Sequence, residues 1–157
     1  MSKPVLVAIA LGANLGDRGA HLAYAVSRLT PHLSDISVSS WHETLPVDTP
    51  DPQPLYLNGA LVGRTSLDPH ALLDLLLAIE RERGRERHYA NAPRTLDLDL
   101  LFYADLVLSD DRLTVPHPRL RERMFVLAPL AEVAPDLRDP QTGLTVADLL
   151  ARLAPAC

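Results

Sequence analysis

The chain has one cysteine, one lysine and seven aromatic residues, all counted over 157 positions. The cysteine is Cys157, so an intrachain disulfide is excluded and a reducing compartment is the natural setting. No apolar run approaches the roughly 20 residues a membrane-spanning helix needs. Pro4–Leu11 has the look of a short signal-peptide core, but Gly12–Asp17 follows it like a strand-to-helix loop. The expected location is therefore the cytoplasm. Few aromatic rings and a net charge of −5 argue against an RNA-binding sheet, which needs stacking rings and a basic surface. They argue equally against a binder of anionic membranes.

What the chain does have is arginine. Fourteen of its fifteen basic residues are Arg, and nine of those lie between Arg81 and Arg123. A codon bias toward Arg explains the type but not the clustering. Guanidinium groups suit bidentate contacts to phosphate, so a local cluster in an acidic protein suggests a small anionic ligand. The length suits one domain, residues 1–157, with no repeat, linker or low-complexity tract. Nothing in it calls for more than a monomer.

The most informative stretch is Arg94-Thr95-Leu96-Asp97-Leu98-Asp99-Leu100. Leucine at every second position is the signature of a strand with one face in the core. Asp97 and Asp99 then share the other face, with Cα atoms roughly 6.6 Å apart. At an effective dielectric near 20 such carboxylates repel by about 2–3 kcal/mol. A divalent cation would offset that repulsion, since Mg²⁺ takes one or two carboxylates together with water and phosphate oxygens. A solvated strand face that resists edge-to-edge aggregation is the alternative.

Around this stretch the pattern predicts a strand at Val5–Leu11 and a helix carrying Leu22, Ala25, Val26 and Leu29, stopped near Pro31. A second strand is expected at Ile36–Trp41 and a third at Leu55–Val62. Between them Leu45–Pro54 holds four prolines and reads as a loop. Asp68-Pro69 is an N-cap with proline at the first helical position, opening a helix with Leu72, Leu73, Leu76 and Ile79 inward. After the Asp strand come a turn at Asp105, a short strand at Leu106–Leu108 and a break at Pro116-His117-Pro118. A helical pattern follows through Leu120, Met124 and Leu127, halting near Pro129. Asp139-Pro140 with Gly143 makes a turn, and Thr145 to Asp148 has capping-box form before a final helix. To residue 103 the order is β-α-β-β-α-β. This is an α+β, ferredoxin-like plan: an antiparallel sheet with helices on one face, here with a C-terminal helical extension.

The Gly12–Asp17 loop lacks both the Walker lysine and the Rossmann glycine spacing, so its glycines are read as turn residues. Tyr56 and Asn58 share a strand face, an arrangement that suits a flat heterocycle or simply a half-buried ring. Arg85 and Arg87 lie beyond Gly84, on a loop just before the aspartates, where a phosphate clamp would be needed. Arg112, Thr114, His117, Arg121 and Arg123 gather donors around the double-proline turn.

Ala92-Pro93 followed by Arg94–Leu100 resembles the signature of the 6-hydroxymethyl-7,8-dihydropterin pyrophosphokinases of the folate pathway. The resemblance continues through Gly12–Leu15, Tyr56-Leu57-Asn58, Gly84-Arg85, Leu113–His117 and Arg123–Leu127. It implies the ferredoxin-like fold and transfer of pyrophosphate from ATP to the pterin hydroxymethyl group, leaving AMP. Asp97 and Asp99 would then be ligands of two Mg²⁺ ions, and with Arg85 and Arg94 they form the implied catalytic set. The ATP set would be Glu80, Arg85, Arg87, Arg94, Leu100, Arg112, Thr114, His117 and Arg123. Thr44, Val47, Tyr56, Asn58 and Phe125 match the pterin pocket, Phe125 stacking on the ring. Partners would be these two small molecules, with no nucleic acid and no membrane. Some members carry Arg-Trp where this chain has Ala90-Asn91, which leaves Tyr89 as the candidate second aromatic wall. Members also often have Pro where Leu45 stands and an aromatic where Pro118 stands. The loops at 45–54 and 85–93 are expected to close over the substrates. A non-catalytic ligand sensor of the same fold would need neither the Asp pair nor the Arg cluster.

Overall fold

A computed structural model describes residues 3–14, 16–44, 55–83 and 96–153. The long apolar run near the N-terminus forms β1 (Val5–Ala13), two residues longer than expected, so Gly12 lies in the strand and not in the loop after it. Asp17 then caps α1 (Arg18–Leu29) by accepting the Ala20 amide at 3.1 Å. Pro31 sits in a single 3₁₀ turn beyond the helix end.

The expected strand at 36–41 is divided into β2 (Ser34–Val38) and β3 (His42–Thr44). Ser39 is the cause. Its amide donates to the Ala60 carbonyl at 2.9 Å, but its hydroxyl, not its carbonyl, takes the Ala60 amide at 2.9 Å. A side chain replaces the backbone acceptor there and the ladder is interrupted. β4 (Tyr56–Thr65) follows, and then α2 (Pro69–Glu82), capped by Asp68 through the Ala71 amide at 2.8 Å. β5 (Asp97–Tyr103) completes the sheet.

The strand order is β2-β4-β1-β5, with β3 also on β4 and every pairing antiparallel. With β2 and β3 together filling one strand position, this is the ferredoxin-like plan. Alternation divides the apolar residues between two layers. Val7, Ile9, Leu11, Leu61, Leu96, Leu98 and Leu100 meet Leu22, Leu29, Leu72, Leu76 and Ile79 of α1 and α2. Ala8, Ala60, Val62 and Phe102 meet a second layer on the opposite face. Truncating a fully buried leucine such as Leu96 costs about 2–5 kcal/mol in cores of this kind.

The second layer is α3 (Met124–Val133) and α4 (Val146–Leu153). A small hairpin, β6 (Leu108–Ser109) with β7 (Thr114–Val115), precedes them. β7 was not expected, and α3 runs through Pro129 instead of halting there. Pro129 is buried, and tertiary packing retains a turn that its missing amide weakens. α4 begins as expected: Thr145 Oγ1 accepts the Asp148 amide at 3.1 Å and Asp148 Oδ2 accepts the Thr145 amide at 3.2 Å. Among the described residues, no helix is long and apolar enough to cross a membrane.

The extension is tied down by a buried ion pair. Asp139 is 0% exposed, and its carboxylate accepts from Arg121 at 2.5 and 2.9 Å. The Gln141 amide at 3.0 Å and the Thr142 hydroxyl at 2.9 Å complete the shell. Burial alone pushes the Asp139 carboxyl up, but the bonds from Arg121, Gln141 and Thr142 outweigh it, leaving it below the usual Asp range. A depressed carboxyl stabilises the fold above its unfolded pKa and loses that contribution as pH falls through the folded value. Asp139→Ala, which strands the guanidinium, is expected to cost about 3 kcal/mol by urea denaturation at pH 7. The gap from the parent should narrow on acidification below the unfolded Asp value of about 3.9.

Candidate active site

The cross-strand register builds the site. β1 lies between β4 and β5, and Gly12 is paired with Asn58 on one side and with Asp97 on the other. His42 on β3 pairs with Asn58, so His42, Asn58, Gly12 and Asp97 form one row across four strands. Paired residues in such a row point to the same face. Asp99 stands one step along β5, opposite Ala10. Both aspartates are half-buried on the face away from α1 and α2, while Leu96, Leu98 and Leu100 between and beside them are 0–5% exposed on the other.

Gly12 lets neighbouring side chains approach the backbone in the middle of that row. A Cβ there would stand 3.3 Å from Asn58 Oδ1 and 3.6 Å from the Tyr56 ring. The Asn58 carbonyl is therefore directed over bare backbone toward Asp97, about 10 Å away across two strand spacings. Its amide nitrogen donates to Thr44 Oγ1 at 2.5 Å, and Thr44 itself pairs with Tyr56. The result is a slot with a polar rim of Thr44 and Asn58, an aromatic ring in Tyr56 and a small-residue floor.

Beyond β5 the chain turns at a cis Val115–Pro116 peptide and brings in His117. The His117 amide donates to the Leu101 carbonyl at 2.9 Å, fastening this turn to the aspartate strand. Its Nδ1 accepts the Arg119 amide at 3.2 Å, which puts the ring proton of the neutral form on Nε2. Burial first, and then the nearby Arg123 guanidinium, hold the imidazole below its ordinary pKa, with Asp97 acting in the opposite direction. A neutral imidazole donor thus stands within electrostatic reach of both Asp97 and Arg123. Arg123 in turn lies over the Phe125 ring at 5.5 Å, linking this corner to an aromatic face.

The other expected residues are distributed as follows. Arg112 is ion-paired with Asp74 of α2, and Thr114 Oγ1 is 3.4 Å from Ser109 Oγ in the small hairpin. Glu80 is buried on α2, and its Oε2 accepts the Leu98 amide at 2.7 Å, between the two aspartates in sequence. Leu100 points into the helix-side core, on the face opposite the aspartates. Arg121, grouped by sequence with the donors of the double-proline turn, is instead committed to Asp139. Val47, Arg85, Arg87, Tyr89 and Arg94 lie outside the described residues, as do Leu45 and Ala90-Asn91. The sequence reads Gly12 as a turn residue within the Gly12–Leu15 stretch of the resemblance; its place in the slot appears once β1 is registered against both neighbours.

Hard oxygen acceptors, a neutral imidazole and a guanidinium at one end, and an amide- and ring-lined slot at the other, define the class. It is a ferredoxin-like domain in which one sheet face, covered in part by α3 and α4, sets acceptors and cations beside an amide- and ring-lined slot. The family model for 7,8-dihydro-6-hydroxymethylpterin-pyrophosphokinase matches residues 8–135. A Synechocystis protein named 2-amino-4-hydroxy-6-hydroxymethyldihydropteridine pyrophosphokinase is 46% identical over 145 residues, covering 90% of this chain and 73% of the relative. An Arabidopsis thaliana protein named folate synthesis bifunctional protein, mitochondrial, is 43% identical over 143 residues, covering 87% of this chain and 24% of its own length. Among solved structures, wild-type Plasmodium falciparum HPPK-DHPS superposes with a TM-score of 0.73 at 16% identity, over 97% of this chain and 45% of that one. The last comparison carries the fold alone. The chain belongs to the 7,8-dihydro-6-hydroxymethylpterin pyrophosphokinase family.

The electrostatics of the turn can be read directly. In the metal-free protein the His117 ring is expected to titrate below 6.5 by NMR, and Arg123→Ala should move it upward by removing a neighbouring cation. An unchanged or lower value in that variant would remove Arg123 from the surroundings of His117.

Proposed function

We propose that this chain transfers the β,γ-pyrophosphoryl group of ATP to the hydroxymethyl oxygen of 6-hydroxymethyl-7,8-dihydropterin, releasing AMP, as a step of folate biosynthesis. Family membership supports the reaction. The observation that carries its assignment to residues is the single row that sets Asn58 and Asp97 on one face on either side of Gly12. The pterin would lie in the slot with its amide-like edge against Asn58 and Thr44 and its face on Tyr56 and Phe125; Val47 belongs to the same pocket by resemblance. That pose aims the hydroxymethyl arm along the row toward Asp97.

The aspartates suit magnesium. They are two hard, half-buried carboxylates on one face of β5, opposite Gly12 and Ala10. By resemblance, the rest of a coordination sphere would fall to water and triphosphate oxygens. When bound, Mg²⁺, two ions by resemblance, supplies neutralisation of the triphosphate and polarises the β-phosphorus.

The chain's own groups do the remaining work. Arg123 and His117, joined by Arg85, Arg87, Arg94, Arg112 and Thr114, hold the triphosphate and meet the charge that develops on the α-phosphate as it leaves. Leu100 and Glu80 belong to the ATP set by resemblance; both lie on the helix side of β5, so they would act through that strand, Glu80 by its hold on the Leu98 amide. The bond between the hydroxymethyl oxygen and the β-phosphorus forms as the bond from that phosphorus to the α–β bridging oxygen breaks, the bridging oxygen leaving with AMP, and the hydroxyl proton passes to solvent. No side chain is assigned as general base. Catalysis rests on placement and electrostatics. We place the enzyme in the cytoplasm as a single-domain monomer, 1–157.

The assay is direct. ATP, Mg²⁺ and the hydroxymethylpterin should yield AMP; ADP as product, or turnover indifferent to chelation of Mg²⁺, would overturn the reading. Asp97→Asn and Asp99→Asn should each lower kcat by about 10²–10³ while circular dichroism stays that of the parent. Asn58→Ala should weaken pterin binding by about 1–3 kcal/mol, because a buried ring edge loses its partner; equilibrium titration with the pterin would expose an error here.

A further inference from the structure

β3 is three residues long and, among the described residues, pairs only with β4, yet it carries Thr44, which orients the Asn58 amide. A strand this short has little hold of its own. Its anchorage comes from α3. Glu132 Oε2 accepts the Ser40 amide at 2.9 Å, and Oε1 accepts the Ser40 hydroxyl at 2.8 Å and the His42 Nε2 proton. The two residues that bracket Trp41 at the entry to β3 are thus held by one carboxylate. The Ser40 amide, then His42 and the Ser40 hydroxyl, push that carboxyl down to about 2, so it is charged at neutral pH.

The position of Glu132 on its helix matters as much as its bonds. Phe125 and Glu132 are seven residues apart on α3, two turns, and so lie on one stripe of the helix. One end of that stripe carries the ring proposed to stack on the pterin, and the other end holds the strand that sets the opposite, hydrogen-bonding wall. We propose that Glu132 is a positioning residue for the pterin: through Ser40 and His42 it sets the distance between the Phe125 face and the Thr44–Asn58 edge. This rests on the pterin reading of the slot. Glu132 itself touches no substrate.

On the other face of β3, Arg18 donates to Glu43 Oε2 at 3.3 Å and to the Leu55 carbonyl at 2.7 Å. That contact joins β3 to the start of β4 without reaching α3. It leaves Glu132 as the described link between the strand and the Phe125 helix.

The test is a comparison of the two substrates. Glu132→Ala is expected to raise the KM for the pterin about tenfold, with the KM for ATP within about twofold of the parent. Glu132→Gln, which keeps an acceptor oxygen, should fall between. A merely structural role would instead lower Tm and move both KM values together, or neither. Either of those results overturns the inference, as does an unchanged pterin KM. Should Glu132→Ala fail to fold, Ser40→Ala removes one bond from the other end and should raise the pterin KM alone, by about threefold; no change there also overturns it. A parent enzyme that makes no AMP would sink the functional reading and this inference together, whereas a normal parent with indifferent variants sinks only the inference.

Discussion

The open face of the sheet depends on one constraint, the pairing of β1 with a strand on each side in a register set by buried leucines. Leu96, Leu98 and Leu100 have to reach α1 and α2, and in a period-2 strand that leaves Asp97 and Asp99 no other direction. A slip of one residue would bury two carboxylates and expose three leucines. The free energy that drives those side chains inward therefore also holds like charges together on the opposite face, where about 2–3 kcal/mol of repulsion would otherwise separate them. Core and site are two faces of the same alternation.

Features governed by local pattern were legible in the chain. The Asp strand, the Asp68-Pro69 start of α2, the Thr145–Asp148 box and the Gly143 turn all depend on residues within a few positions of each other, and each is present. Features governed by distant partners were not. The break between β2 and β3 requires the Ser39 hydroxyl to meet Ala60. α3 continues through Pro129, which is buried, and the two-residue strands of the small hairpin are too short to give a period. The bare backbone at Gly12 has meaning only between Asn58 and Asp97.

The arginine cluster shows the same limit in another form. Its concentration between Arg81 and Arg123 pointed to an anionic ligand, but several members serve the fold. Arg83 lies over the Tyr24 ring at 4.5 Å and donates to His21 at 2.9 Å. Arg119 is paired with Glu122 and Arg121 with Asp139, while Arg112, in the proposed ATP set, would have to turn from its exposed pair with Asp74 to reach the triphosphate. Outside the cluster, Arg28 forms a two-pronged pair with Glu82 at 2.7 and 2.8 Å, which holds that carboxyl at about 2. Composition counts guanidinium groups, whereas their use depends on carboxylates up to tens of residues away. Arg123, beside His117 and Phe125, is the described member whose surroundings match the ligand reading.

The family model ends at residue 135, but the folded unit does not. Asp139 reaches back to Arg121, inside the turn that has His117 at one end and Arg123 at the other. Recombinant versions trimmed to the motif-bearing span would keep every signature residue and lose the latch that seats them. For this protein the minimal catalytic fragment is longer than the recognisable one.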